Sequence, residues 1–194
     1  SGPSRISRIS SHQEAWEVPL IENSFWTSGQ RQGHSLQEIS YRACFKPELP
    51  RFFTKHLTEP GDWVFDCFMG RGTTLLEATL LGRRVWGNDL NPISRMMIEP
   101  RLDPPEQFEV EQRLQKIPWG YRGGLPGDLL VFFHPKTLRS LLALRKYFRQ
   151  RQKSGNFDLV DSWIRMVAMN RLTGHSPGFF SVYTLPPNQA VSVE

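Results

Sequence analysis

The hydrophobic positions of this chain fall into short runs whose spacing changes from one segment to the next. Trp63-Val64-Phe65 is an unbroken apolar run of strand length, set off by the turn residues Glu59-Pro60-Gly61-Asp62 before it and by a turn holding Gly70 and Gly72 after it. Leu75-Leu76-Glu77-Ala78-Thr79-Leu80-Leu81 has the spacing of a helix, and Arg83 to Asp89 reads as a second short strand ending in a carboxylate. Upstream, Leu49 to Leu57 repeats at helical spacing. Downstream, the pattern breaks after Pro100 over Arg101-Leu102-Asp103-Pro104-Pro105, and helices are predicted over about Glu106 to Lys116, Pro135 to Gln152 and Asp158 to Asn170. Gly120 to Gly127 reads as a loop, and Leu129 to Phe133 as either a short strand or the lead into the next helix. Residues 1 to about 12 read as a flexible start. Glu14 to Ser40 shows no period around Trp16, Phe25 and Trp26, so residues 1–40 are expected to form an irregular arm that either covers a pocket or simply anchors by its aromatics. The tail from Leu172 is rich in Pro and Gly, with Phe179, Phe180 and Tyr183.

Strand, glycine turn, helix and strand together describe a nucleotide-binding βαβ unit. Gly70 and Gly72 leave room for a ligand to touch the backbone, and the turn is expected to present its N–H groups and a helix N-terminus to whatever is bound. Asp89 lies about 20 residues beyond the turn, where such folds place the acid that accepts the ribose hydroxyls. Gly-Thr-Thr stands where a dinucleotide fingerprint would have its third glycine, which argues against a dinucleotide.

Charge adds a second lead. The 24 Lys and Arg against 19 Asp and Glu leave a formal net charge of +5, which favours a polyanionic partner. Arg139, Arg145, Lys146, Arg149, Arg151 and Lys153 lie in or just after a helix whose apolar side is Leu138, Leu141, Leu142, Leu144 and Phe148. Both a solvated face and a phosphate-contacting patch fit that pattern. The two cysteines, Cys44 and Cys67, form neither a metal-ligand nor a disulfide pattern. No run approaches the roughly 20 apolar residues of a membrane span, and the N-terminus has no hydrophobic signal core. A soluble, cytoplasmic protein without a metal is expected.

The longer pattern Asp66-Cys67-Phe68-Met69-Gly70-Arg71-Gly72-Thr73-Thr74, with Leu-Leu-Glu-Ala behind it and Asn88-Asp89-Leu90-Asn91-Pro92 after the next strand, resembles the S-adenosylmethionine site of DNA amino-methyltransferases. Phe45-Lys46-Pro47, just upstream, resembles the segment that cups the methionine end of the cofactor in that family. The likeness runs from Ser40 to about Arg101. It implies a Rossmann-like class I methyltransferase fold of α/β type, over residues 41–194, with a helical insertion or extension at about 106–175. It implies S-adenosyl-L-methionine as cofactor and methylation of DNA, preferably double-stranded, at N4 of cytosine or N6 of adenine. Asp66, Phe68 and the Gly70 and Gly72 backbone would hold the methionine portion, lined by Phe45 and Pro47. Thr73 and Thr74 would cap the helix or reach the carboxylate, and both readings stay open. Asp89 would take the ribose, and Leu90 and Pro92 would border the adenine. If the basic helix is a phosphate-contacting patch, which its charge suggests and the resemblance does not decide, Arg145, Lys146, Arg149, Arg151 and Lys153 would contact nucleic acid.

The family also needs an Asp/Asn/Ser-Pro-Pro-Tyr/Phe tetrapeptide, whose polar group and carbonyl accept from the target amine while its ring stacks on the flipped base. No complete copy occurs. Asp103-Pro104-Pro105-Glu106 ends in a carboxylate, Leu185-Pro186-Pro187-Asn188 lacks acceptor and ring, and Ser176-Pro177-Gly178-Phe179 lacks the second proline. Ser176, Pro177 and Phe179 are therefore only weak catalytic candidates. With two or three strands in view, the fold is expected to be incomplete here, the tetrapeptide coming from a further C-terminal segment or a second chain. Two other functions remain open: a tRNA guanine-N2 methyltransferase, and a non-catalytic cofactor- or nucleic-acid-binding protein.

Overall fold

Two strands pair before the chain reaches the elements that its hydrophobic pattern marks. Arg5–Ser10 (β1) lies antiparallel to Glu17–Glu22 (β2), with Arg5 opposite Glu22 and Ser10 opposite Glu17. Part of the expected irregular arm is therefore a strand pair. Neither segment alternates strictly between apolar and polar residues, so the period-2 signal was missing, and Pro19 in β2 is tolerated because a two-stranded sheet consists of edges. This is a computed structural model, and it describes residues 5–10, 17–22, 33–39 and 45–172.

The chain forms two units. The first comprises Ser1–Met69 and Thr73–Asn88. After β1 and β2 it contains a 3-10 turn at Ser35–Gln37 and the helix α1 (Glu48–Leu57). The strand β3 (Trp63–Asp66), helix α2 (Thr73–Leu80) and strand β4 (Arg84–Gly87) follow. β3 and β4 are parallel, Trp63 beside Arg84 and Asp66 beside Gly87, as the βαβ reading required. Helix α2 covers one face of this sheet. A side chain at Gly87 would strike Leu75 of α2, so the glycine lets helix and strand close up.

Burial inside α2 explains how the neighbouring segments attach. Leu75, Leu76 and Ala78 are buried, and so is Glu77, at 2% exposure. Its carboxylate accepts from Gln37 Nε2 at 3.0 Å and from Arg51 Nη1 at 3.3 Å, tying the 3-10 turn and α1 to α2. A buried acid is tolerated only when it is paired and hydrogen-bonded in this way. The other face of the sheet is bare: Trp63, Phe65 and Trp86 are 64%, 60% and 69% exposed. Phe65 and Trp86 sit with ring centroids 5.8 Å apart, and the Arg84 guanidinium lies over the Trp63 ring.

The second unit comprises Gly70–Gly72 and Asp89–Glu194. Its helices are α3 (Pro92–Leu102), α4 (Gln107–Lys116), α5 (Gly127–Leu130), α6 (Pro135–Lys153) and α7 (Leu159–Arg171). Helix α3 was not legible as a helix in the sequence, yet its start follows the rules, with Asn91 capping the Ile93 N–H and Pro92 at the first position. The break expected after Pro100 falls instead at Asp103, because Ile98, Pro100 and Arg101 are all buried and keep the last turn in the helix. The ambiguous Leu129–Phe133 segment begins as the end of α5, leading towards α6. Among the described residues no helix is long and apolar enough to cross a membrane.

Ile117, Leu144, Phe148, Val160 and Ile164 form the apolar core of this unit. Beside it Asp161, fully buried, accepts from Arg113 Nη1 and Arg151 Nε, each at 2.5 Å. Asp158, the N-cap of α7, accepts from the same two arginines at 2.7 and 3.0 Å and exchanges capping-box bonds with Asp161. Burial pushes the Asp158 carboxyl up, but the hydrogen bond from Arg113, the Asp161 N–H and both guanidinium charges outweigh it and bring it to about 2.

Two outcomes follow from this network. Since the Asp158 pKa is depressed on folding, its stabilising contribution is complete above the ordinary carboxylate range and is lost as pH falls from about 4 toward 2, readable as a drop in melting temperature across that window. Asp161→Ala removes the buried acceptor shared by Arg113 and Arg151, leaving both with Asp158 alone, and is expected to cost about 1–3 kcal/mol in denaturant unfolding.

Candidate functional site

The glycine turn takes its shape from left-handed backbone. Gly70 and Gly72 have φ of 50° and 82°, and a Cβ on Gly72 would lie 2.5 Å from Ile98 Cδ1 of α3. Glycine at position 72 thus serves two ends: the positive φ, and the close approach of the turn to α3.

Asp89 locks this turn. Its Oδ2 accepts the Gly70 N–H at 2.8 Å, while Oδ1 accepts the Asn91 N–H at 2.8 Å. The Asn91 N–H first, and the Gly70 N–H next, hold the Asp89 carboxyl below its usual range, so it is ionised at neutral pH. The Gly70 N–H therefore points at Asp89 rather than outward, a departure from the expected ligand-facing donor. Each carboxylate oxygen has two lone pairs and the backbone donors take one on each; the nearby Ser94 hydroxyl also lowers the Asp89 pKa, so acceptor capacity for at least one further hydroxyl remains. Leu90, next in the chain, is fully exposed, and Pro92 is exposed at the start of α3.

Arg101 supports the turn from the interior. It is only 1% exposed, donates from Nε to the Met97 carbonyl at 2.8 Å, and donates from Nη2 to the Arg71 carbonyl. Burial, then the Arg71 charge, lowers its pKa to about 10, which still leaves it a cation at neutral pH. The sequence offered no sign of this, since arginines are rarely buried and the residue stood in an apparent helix break.

The remaining predicted cofactor residues lie in the first unit. Asp66 Oδ1 accepts the Phe68 N–H at 3.1 Å, and the Asp66 carbonyl accepts the Asn88 N–H at 2.9 Å, so the acid caps the turn that leaves β3. Phe68 is 86% exposed, whereas Thr73 is buried. Phe45 and Thr74 share an apolar cleft of about 330 Å³ with Leu49, Phe53 and Val64. Pro47 lines a different cavity of about 300 Å³, beside Arg51 and Glu77. Phe45 and Pro47, expected to line one end of the cofactor together, are thus placed in separate cavities.

In the second unit Arg145, Lys146, Arg149 and Lys153 are exposed and share a cleft of about 330 Å³ with Tyr121. Arg151 departs from the predicted set, because its guanidinium is held by Asp158 and Asp161. Asp103 ends α3 and Glu106 caps α4 through a capping box with Glu109, so Asp103-Pro104-Pro105-Glu106 is a helix linker. Ser176, Pro177, Phe179 and the Leu185-Pro186-Pro187-Asn188 segment lie outside the described residues, as does Cys44.

Residues 7–98 match the family model described as DNA methylase, of N6/N4 type. Type II methyltransferase M.MvaI of Kocuria varians is 24% identical over 128 residues, covering 64% of this chain and 25% of that protein. Type II methyltransferase M.MjaII of Methanocaldococcus jannaschii is 34% identical over 77 residues, 40% of this chain and 14% of that protein. Type II methyltransferase M.BsoBI of Geobacillus stearothermophilus is 33% identical over 85 residues, 43% of this chain and 16% of that protein. The chain thus matches a quarter or less of the length of each of these three relatives. No solved structure matches it.

Two substitutions test how the turn is held. Gly72→Ala meets both the positive φ and Ile98, and Arg101→Met leaves the Arg71 carbonyl without its guanidinium donor. Each is expected to lower unfolding free energy by about 1–3 kcal/mol in a denaturant titration, with hydrogen exchange accelerated at residues 70–72.

Proposed function

We propose that this chain holds S-adenosyl-L-methionine for methylation of an exocyclic amine in DNA, N4 of cytosine or N6 of adenine, a reading supported by the match of residues 7–98 to the N6/N4-type DNA methylase model. The observation that supports this reading is the Asp89 carboxylate, clipped by the Gly70 and Asn91 N–H groups yet with acceptor capacity to spare.

Such a carboxylate suits the paired hydroxyls of a ribose, and its fixed orientation lets it bind without reorganising. Leu90 and Pro92 supply apolar surface for the adenine. Gly70 and Gly72, with Asp66, Phe68, Thr73, Thr74, Phe45 and Pro47, take the methionine portion by resemblance to the family. When bound, the cofactor supplies a methyl group on positively charged sulfur, open to direct displacement by an amine. No residue here needs to act as a covalent nucleophile, and Cys67, though exposed, has no such role. This chain's part is to bind and orient.

The full fold we infer is the Rossmann-like one, with strands and helices beyond the parallel β3–β4 pair. The exposed aromatic face of Trp63, Phe65 and Trp86 is the surface that a second helical layer would cover. The tetrapeptide that holds the target base is absent from the 194 residues. We assign it to polypeptide outside them, in the same protein or in a second chain.

Calorimetric titration with S-adenosylmethionine and S-adenosylhomocysteine tests the reading. Binding with Kd on the order of micromolar is expected, weakened at least about tenfold by Asp89→Ala. No heat from well-folded wild-type protein would overturn it.

A further inference from the structure

Helix α6 contains seven cations, Lys136, Arg139, Arg145, Lys146, Arg149, Arg151 and Lys153, and no acid in 19 residues. Without those seven, the chain's 24 Lys and Arg would number fewer than its 19 acids, so the whole positive excess resides in this one element. A helix face that serves only solubility mixes both signs, and like charges four residues apart, as in Arg145, Arg149 and Lys153, repel one another. The helix dipole favours cations in the last turn but does not account for Arg145 or Lys146, which precede it.

The structure separates these cations into two groups. Arg151 turns to Asp158 and Asp161, where it serves stability. Among the described residues, Arg145, Lys146, Arg149 and Lys153 form no ion pair; all four are exposed, and with Tyr121 and Gln150 they line one cleft. Arg145, Arg149 and Lys153 follow one another at steps of roughly 6 Å along the helix axis, one turn apart on the same face.

We propose that this face of α6, together with Tyr121, grips the phosphate backbone of double-stranded DNA and so holds the duplex on the chain. This rests on the proposed function for its choice of polyanion. The cations supply phosphate contacts and counterion release, and the Tyr121 hydroxyl and Gln150 amide add neutral donors of the kind that fix register on a backbone. An anionic membrane is the weaker fit. Leu138, Leu142, Leu144 and Phe148 of α6 are buried in the protein, so the helix does not offer these side chains to lipid. Contacts of this kind position the duplex without reading its sequence.

The test compares Lys146→Gln/Arg149→Gln with the charge-matched Lys55→Gln/Lys116→Gln in the full chain, by fluorescence anisotropy with a 20-base-pair duplex over a KCl series. The α6 double variant is expected to lose about 2 from the slope of log K against log[KCl], since each phosphate contact contributes about 0.9, while the control pair loses little. Circular dichroism and S-adenosylmethionine titration run alongside. A slope unchanged in the α6 variant, an equal loss in the control pair, or preferential binding to phosphatidylserine vesicles over duplex would overturn the proposal. Cofactor binding by the wild type separates the two ideas: if it fails while the slope still falls, the function is wrong and the surface stands.

Discussion

A left-handed turn at Gly70–Gly72 cannot hold its shape on its own, because its donors and acceptors need partners outside the turn. Asp89 supplies an acceptor for the Gly70 N–H, and Arg101 supplies a donor for the Arg71 carbonyl. The two act from opposite chemical sides, an ionised carboxylate and a buried guanidinium, on peptide groups one apart in the turn. Ile98 fills the space that any side chain at position 72 would occupy. Glycine, Asp89, Arg101 and Ile98 therefore form one interdependent arrangement, in which the Asp89 carboxylate is held in one orientation by two backbone N–H groups.

Charge placement elsewhere follows a related logic. Among the described residues, the buried acids are each tied to arginine: Glu77 to Arg51, Asp161 to Arg113 and Arg151. In each case the acid stitches separate helices together, α1 to α2 in the first unit and α4, α6 and α7 in the second. Burial of a charge is tolerable when several hydrogen bonds converge on it, and Asp161 receives three, counting that from the Asp158 N–H. What remains on the surface is an excess of cations on one helix, without acids to balance them.

The parallel pair β3–β4 has a different status. Two strands with one face against α2 and three large aromatics on the other are fewer than an α/β domain of this family uses. On the sequence side, residues 7–98 match the DNA methylase model, and the chain matches a quarter of the length of the relative from Kocuria varians. The aromatic face and the α6 face are chemically unlike, one apolar and stacked, the other cationic and wet, and they suit different contacts.

Much of the arrangement was legible in the residues. The βαβ order, the glycine turn, Asp89 and helices α1, α4, α6 and α7 could be read because apolar period, glycine and capping signals are local, and local signals need only a few neighbouring residues to express themselves. The likeness to DNA methylases could be read for the same reason, since Asp66 to Thr74 and Asn88 to Pro92 are contiguous motifs. Other features depend on residues distant in sequence. That Arg151 faces acids while Arg149 faces solvent is decided by where α7 packs, and the Gly70 N–H turns inward because Asp89 is there to receive it. Helix α3 persists through Pro100 because burial of Ile98 and Arg101 outweighs the proline, and Phe45 and Pro47, two residues apart, line different cavities. Composition and spacing specify which chemistry is present; only packing, which determines what each polar group meets once water is excluded, decides the direction in which it acts.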